Sequence, residues 1–139
     1  MRLGEILVAV DGTPSGQHAL EYALELASVH GAHLTAVVVE GRLPRYAALI
    51  GEVADARGTR RTYFTTIARL ARHQAEEHDV RIDVERRFGT VESALLAVAA
   101  SRHCDLVVLG LRAHLGRLVP RMHPARLARR TACPLVLVR

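Results

Sequence analysis

Short, uninterrupted apolar runs alternate with amphipathic segments along the chain, and this alternation constrains the fold more than any other feature. Residues 6–10 read Ile-Leu-Val-Ala-Val, and residues 106–109 read Leu-Val-Val-Leu. Apolar runs of this length are typical of parallel strands that are buried on both faces. Between these runs the apolar residues recur at helical spacing. The sequence therefore predicts strands and helices in regular alternation.

Five strands are predicted. They span residues 5–10, 34–39, 81–88, 105–109 and 134–138. The third of them alternates polar and apolar residues, which is typical of a half-exposed strand, so we expect it at an edge of the sheet.

Four helices are predicted, and residues with capping chemistry mark most of their ends. Thr13 is the predicted N-cap of the first helix, and Gly31 is its predicted C-cap. The second helix is predicted to end near His78. Gly89 and Thr90 precede the third helix, and Pro124 begins a short fourth helix that ends at Arg130.

This βαβαβαβαβ order predicts an α/β protein, a three-layer α/β/α sandwich that forms a single domain over residues 1–139. In such sheets, ligands bind outside the carboxyl ends of the strands, where the strand order reverses. Two loops with polar chemistry leave those ends, at residues 11–15 and 110–123. A third irregular connection, residues 40–60, has room for a short helix at 45–53.

Charge is distributed unevenly along the chain. All 19 cationic side chains are Arg, which excludes mechanisms that need a lysine Schiff base or a P-loop lysine. No acid follows Asp105, so residues 106–139 carry seven Arg and a charge of +7, whereas residues 1–105 carry 12 Arg and 14 acids. This asymmetry is consistent with an anionic partner and equally with a solvated Arg-rich surface.

Several other site classes find no support in the sequence. Cys104 and Cys133 are too few for a disulfide framework or a cysteine zinc site, and we expect them to be inert. The eight histidines, His33 among them, lack metal-ligand spacing, so we expect exposed side chains and no metal site. No nucleophile elbow is present, which predicts no catalytic residues.

Membrane and nucleic-acid partners are also disfavoured. No apolar run has the length of a membrane span, so we expect a soluble, cytoplasmic protein. The C-terminal arginines could contact a phosphate backbone, but no nucleic-acid reading motif accompanies them, so nucleic acid is an unlikely partner.

Three sequence blocks together resemble the universal stress protein family. They are residues 6–16, 105–110 and 132–138. The resemblance implies a five-stranded parallel sheet in the order 3-2-1-4-5, which is Rossmann-like and adenine nucleotide alpha-hydrolase-like. It also implies a homodimer formed through the last strand. One branch of the family binds ATP and another does not, so ATP or ADP is a candidate ligand.

The resemblance further implies a nucleotide site at the carboxyl ends of the strands. Its candidate residues are Ala9, Val10, Asp11, Val39, Leu109, Gly110, Arg112 and Gly116. Asp11 has two interpretations, as a residue beside a nucleotide or metal and as a turn former, since Asp-Gly is common in turns.

The loop after the fourth strand departs from the family's phosphate-binding pattern, Gly-x2-Gly-x9-Gly-Ser/Thr. Gly110 matches the first glycine, Ala113 replaces the second, and Arg121-Met122 or His123-Pro124 occupies the closing pair. Alanine at a positive-φ position costs about 1–2 kcal/mol, and a lost hydroxyl donor to a charged acceptor costs about 1.5–3 kcal/mol.

The resemblance implies a non-catalytic stress-response binding protein, and these losses predict that its ATP binding is weak or lost. Arg112, Arg117 and Arg121 leave an alternative open, because guanidinium groups can bind phosphate oxygens in pairs. In that alternative the protein is a nucleotide sensor, or binds another small phosphorylated ligand, through an Arg-rich loop.

Overall fold

The computed structural model of the chain describes residues 2–40, 56–111 and 124–139, and it describes the side chains of the second helix from residue 61 onward. The elements in chain order are β1 (Glu5–Val10), α1 (Pro14–His30), β2 (His33–Glu40), α2 (Ala56–Glu77), β3 (Ile82–Phe88), α3 (Val91–Arg102), β4 (Leu106–Gly110), α4 (Pro124–Arg130) and β5 (Leu135–Val138).

All five strands run parallel in one sheet with the order β3-β2-β1-β4-β5, which confirms the predicted fold. β3 lies at one edge, as its alternating sequence predicted. The strand order reverses between β1 and β4, because the chain moves away from β1 on one side and returns to it on the other. Val8 pairs with Val108 there, so Val10 and Gly110 end their strands at the same level.

β1 is buried on both faces, and its alternate residues belong to two separate cores. Ile6 and Val8 pack in a cluster with α1 and α2. Leu7 packs on the opposite face in a cluster with α3 and α4. A strand covered on both sides needs apolar residues at every position, which explains the continuous apolar run.

The predicted caps of α1 are confirmed. Thr13 is extended, with φ −80° and ψ 158°, and its side chain accepts a hydrogen bond from the Gly16 N–H. Pro14 stands at the first helical position, where a missing N–H is tolerated. Gly31 ends the helix in the left-handed region with φ 64°. The N-cap hydrogen bond and Pro14 fix the first turn of α1 at the carboxyl end of β1.

Two expectations need correction. α2 begins at Ala56, so residues 56–60, expected to be irregular, are helical. The predicted short helix at 45–53 lies outside the described residues. His33 was expected to be exposed, yet its side chain is only 23% exposed, because its ring lies between the carboxylates of Glu5 and Asp83 at 2.9 and 3.3 Å.

None of the described helices combines the length and the apolar character needed to cross a bilayer.

Candidate functional site

The turn after β1 is ordered by the Asp11 side chain. Its Oδ1 accepts hydrogen bonds from the Thr13 backbone N–H at 3.0 Å and from the Thr13 hydroxyl at 2.6 Å. The Thr13 hydroxyl oxygen in turn accepts from the Gly16 N–H at 3.1 Å. A carboxylate is therefore linked through one hydroxyl to the first turn of α1. This geometry matches the turn-forming interpretation of Asp11, and it also fixes the carboxylate at the edge where ligands bind in such sheets.

Two glycines allow other groups to pack closely against this turn. Gly12 has φ 82°, and a Cβ there would overlap the Tyr63 hydroxyl. Tyr63, from α2, donates that hydroxyl to the Asp11 carbonyl oxygen at 3.0 Å. At Gly16 a Cβ would overlap Asp11 Oδ1. Both α1 and α2 therefore contact this turn and hold its conformation.

Gly110 brings the end of β4 against the same helix. A Cβ at this position would overlap the Ser15 carbonyl oxygen and would lie 2.6 Å from the carbonyl carbon and 3.0 Å from the Gly16 nitrogen. Only a residue without a side chain permits this approach. The end of β4 and the first turn of α1 therefore form one continuous backbone surface at the switch point.

The structure also places Ser15 here, a residue of the predicted polar loop 11–15 that the sequence analysis did not select as a site residue. Ser15 is only 5% exposed, and its Oγ has no hydrogen-bond partner in the structure. The available sequence signal was a serine directly after the proline that begins a helix. That signal identifies a helix start and does not reveal that the hydroxyl is buried.

The candidate residues of the strand ends are close together but have buried side chains. Ala9, Val39 and Leu109 belong to the core beneath α3 and α4. Val10 belongs to the core on the other face. These residues can therefore offer a ligand mainly their backbone groups. The other two candidates, Arg112 and Gly116, lie outside the described residues.

Two of the C-terminal arginines are engaged by a single acid. Arg126 donates to both oxygens of Glu92 at 3.0 and 2.8 Å, and Arg130 donates to the same carboxylate at 3.3 Å. The Arg126 hydrogen bond holds the pKa of Glu92 below its usual range. These contacts connect α4 to α3, so this pair of guanidinium groups serves in part to hold the fold.

The opposite end of the sheet carries both cysteines. Cys104 and Cys133 line a groove of about 290 Å³ together with residues of α3 and the end of α4. Burial raises the pKa of the Cys104 thiol to about 12 and also raises that of Cys133. Both thiols are therefore protonated near neutral pH and are weak nucleophiles. Within the described residues, no three His, Cys, Asp or Glu side chains are grouped so that they could hold a metal.

A doubly wound parallel sheet with a polar, glycine-lined turn at its switch point defines a class of α/β domains that bind ligands at the carboxyl edge. The universal stress protein family model matches residues 3–139 of this chain. The chain therefore belongs to the universal stress protein family. No curated protein matches the chain.

Solved structures share the fold over nearly the whole chain. A universal stress protein in complex with cAMP is 22% identical, with a TM-score of 0.74 and coverage of 100% of this chain and 99% of that one. A universal stress protein from Archaeoglobus fulgidus in complex with dAMP is 14% identical, with a TM-score of 0.66 and full coverage of both chains. An Arabidopsis thaliana family member with AMP bound is 16% identical, with a TM-score of 0.71 and coverage of 97% and 90%.

Proposed function

We propose that this protein is a non-catalytic regulatory member of its family that binds an adenine nucleotide with a short phosphate tail. The proposed site is the carboxyl edge of β1 and β4. The observation that carries the proposal is the hydrogen-bonded chain from Asp11 through Thr13 to Gly16, placed directly beside Gly110. It brings a fixed carboxylate, a helix N-terminus and the backbone at the end of β4 together in one small region.

The ligands named for the similar structures support this choice of class. They are cAMP, dAMP and AMP, each with a single phosphate group. The glycine and hydroxyl pattern that would receive a longer phosphate tail is interrupted at Ala113 and at the closing pair of its loop. A ligand that needs only one phosphate position avoids most of that loss.

A regulatory role without catalysis fits the state of the Asp11 carboxylate. Its Oδ1 accepts two hydrogen bonds from Thr13, so this oxygen is engaged in holding the turn. Cys104 and Cys133 are free thiols, which suits a reducing compartment, so we place the protein in the cytoplasm.

Titration calorimetry of the full chain with AMP, cAMP, ADP and ATP, each with and without Mg²⁺, tests the proposal. We expect saturable binding of AMP or cAMP and no tighter binding of ATP. Asp11→Asn should weaken binding, because the amide group changes the hydrogen bonding of the turn. Asp79→Asn is a matched control, since Asp79 lies in an exposed turn at φ 54°, which asparagine tolerates. Absence of heat with every nucleotide at millimolar concentration would exclude the proposed function.

We also propose that two copies associate through β5. This strand is at the end of the described sheet, its four residues Leu135–Val138 carry no charge, and Leu137 is 42% exposed. The opposite edge strand, β3, carries the charged sequence Asp83 to Arg87, which protects an edge from further pairing. An uncharged apolar edge is suited to pairing with a second copy.

Sedimentation velocity at micromolar concentration tests this association. The wild-type chain should sediment as a dimer, and Leu137→Arg should sediment as a monomer. Val29→Arg is the control, because Val29 is 81% exposed and lies near the end of α1. A monomeric wild type would contradict the proposed association.

A further inference from the structure

The Ser15 hydroxyl is an exception among the polar groups of the candidate site. The Asp11 carboxylate and the Thr13 hydroxyl are engaged in hydrogen bonds with each other, and the Gly16 N–H is bonded to Thr13. Ser15 is only 5% exposed, and its Oγ has no hydrogen-bond partner in the structure. Buried hydroxyl groups in native proteins are nearly always hydrogen-bonded, so an unpaired one calls for an explanation.

The position of Ser15 in the helix indicates which kind of ligand group its hydroxyl could bind. Ser15 is the second residue of α1, a helix of 17 residues whose N-terminus carries a partial positive charge. Pro14 before it has no N–H, and the N–H of Gly16 after it is bonded to Thr13. The remaining donors of the first turn, one N–H and one O–H, therefore belong to the same residue. This combination is suited to an anionic oxygen.

The end of β4 completes the surroundings. A Cβ on Gly110 would overlap the Ser15 carbonyl oxygen, so the backbone of β4 reaches the switch point directly beside this residue. A ligand at the carboxyl edge of β1 and β4 would bring its tail to the first turn of α1.

We propose that Ser15 is the phosphate-binding residue of the nucleotide site, and that its hydroxyl and backbone N–H receive the single phosphate group of the ligand. This inference rests on the proposed function and deepens it. Ser15 supplies the hydroxyl that the interrupted loop pattern no longer provides at its closing position.

The test compares AMP with adenosine in titration calorimetry on three full-length proteins: wild type, Ser15→Ala and Ser93→Ala. Ser93 is the matched control, because it is an exposed serine in the first turn of α3. We expect Ser15→Ala to weaken AMP binding about 10-fold to 100-fold, the range for one hydrogen bond to a charged group. The same substitution should change the affinity for adenosine by less than about twofold. Ser93→Ala should change the affinity for neither ligand.

A melting experiment without ligand supplies a second readout. Because the Ser15 hydroxyl has no partner, its removal should leave the melting temperature unchanged or higher. A melting temperature several degrees lower would show that the hydroxyl supports the fold, and this result would overturn the inference.

The two proposals fail in different ways. If the wild type binds adenosine and AMP equally, or if Ser15→Ala retains full AMP affinity, the assignment of Ser15 is overturned and the nucleotide site remains. If the wild type binds neither compound, the proposed function fails and the assignment of Ser15 fails with it.

Discussion

Replacing Gly110 with alanine should damage both the fold and the site, because it disrupts the contact between the end of β4 and the first turn of α1. The new methyl carbon would overlap the Ser15 carbonyl oxygen and would lie 2.6 Å from the carbonyl carbon. Both are backbone atoms of a helix, so no side-chain rotation relieves the overlap. Either β4 or α1 must shift.

The expected size of the effect follows from this overlap. Inserting a methyl group into a well-packed position costs about 1–3 kcal/mol when the backbone has to move. For a chain of this size, that loss corresponds to a decrease of roughly 3–15 °C in the melting temperature. The shift occurs at the switch point, where the nucleotide is proposed to bind. Gly110→Ala should therefore also weaken nucleotide binding, and by more than the increase in the unfolded fraction at the assay temperature would cause.

Urea denaturation followed by circular dichroism measures the change, and Gly4→Ala provides the matched control. A Cβ on Gly4 would lie 3.4 Å from Asp105 Oδ2, which is ordinary contact, so this variant should match the wild type within about 0.5 kcal/mol. The reasoning is refuted if the free energy of unfolding of Gly110→Ala equals that of Gly4→Ala.

Three further perturbations follow from individual contacts. Leu127 is the one fully buried residue described in α4, so Leu127→Ala should lower the free energy of unfolding by about 2–4 kcal/mol in urea denaturation. A hydrogen bond from Arg102 lowers the pKa of Asp83; at Glu85 burial acts to raise the pKa, but the hydrogen bonds and charges of Arg102 and Arg87 together outweigh it, so these contacts lower that pKa as well. The stability they provide is present at neutral pH and is lost as the pH falls through the lowered values, so Arg102→Gln should melt below the wild type at pH 7 and alongside it near pH 2. Iodoacetamide at pH 8 should modify Cys104 at least a hundredfold more slowly in the folded protein than in urea, because burial raises its pKa to about 12.

Each of these has an outcome that contradicts it. A Leu127→Ala protein within 0.5 kcal/mol of the wild type would show that α4 contributes little to the core. An Arg102→Gln deficit that grows on acidification would have the wrong sign for depressed carboxyl pKa values. Equal alkylation rates in folded and unfolded protein would show that Cys104 is accessible and ionised.

The sequence predicted those parts of the fold that local chemistry determines. Thr13 and Gly31 cap α1 as expected, because a hydroxyl at an N-cap and a glycine at a C-cap act within a few residues of chain. The edge position of β3 followed from its alternation of charged and apolar residues, which only a half-exposed strand accommodates. The continuous apolar runs identified β1 and β4 because both faces of these strands are covered.

The contacts missed by the sequence reasoning join residues far apart in the chain. Glu92 holds Arg126 across 34 positions, and neither residue carries a local signal of the other. His33 is enclosed because β1 and β3 flank its strand and bring two carboxylates to it.

At the start of α2, the glycine at position 58 favoured an irregular segment, since glycine costs about 1 kcal/mol in a helix, yet the residues around it are helical.

For the candidate site, the sequence located the edge and the Asp11 turn but not the arrangement around them. The packing of Gly110 against Ser15 depends on the distance between a strand end and a helix, which no spacing in the sequence reports. The unpaired hydroxyl of Ser15 is a property of its burial and likewise has no signature in the local pattern.

The most direct measurement is the change of backbone amide resonances in the ¹⁵N-labelled protein when AMP is added. A site at the carboxyl edge predicts saturable shifts that centre on Gly12, Ser15 and Gly110 and leave the groove around Cys104 unaffected. Shifts centred on that groove, or spectra that stay constant up to millimolar AMP, would contradict the nucleotide site proposed for this protein.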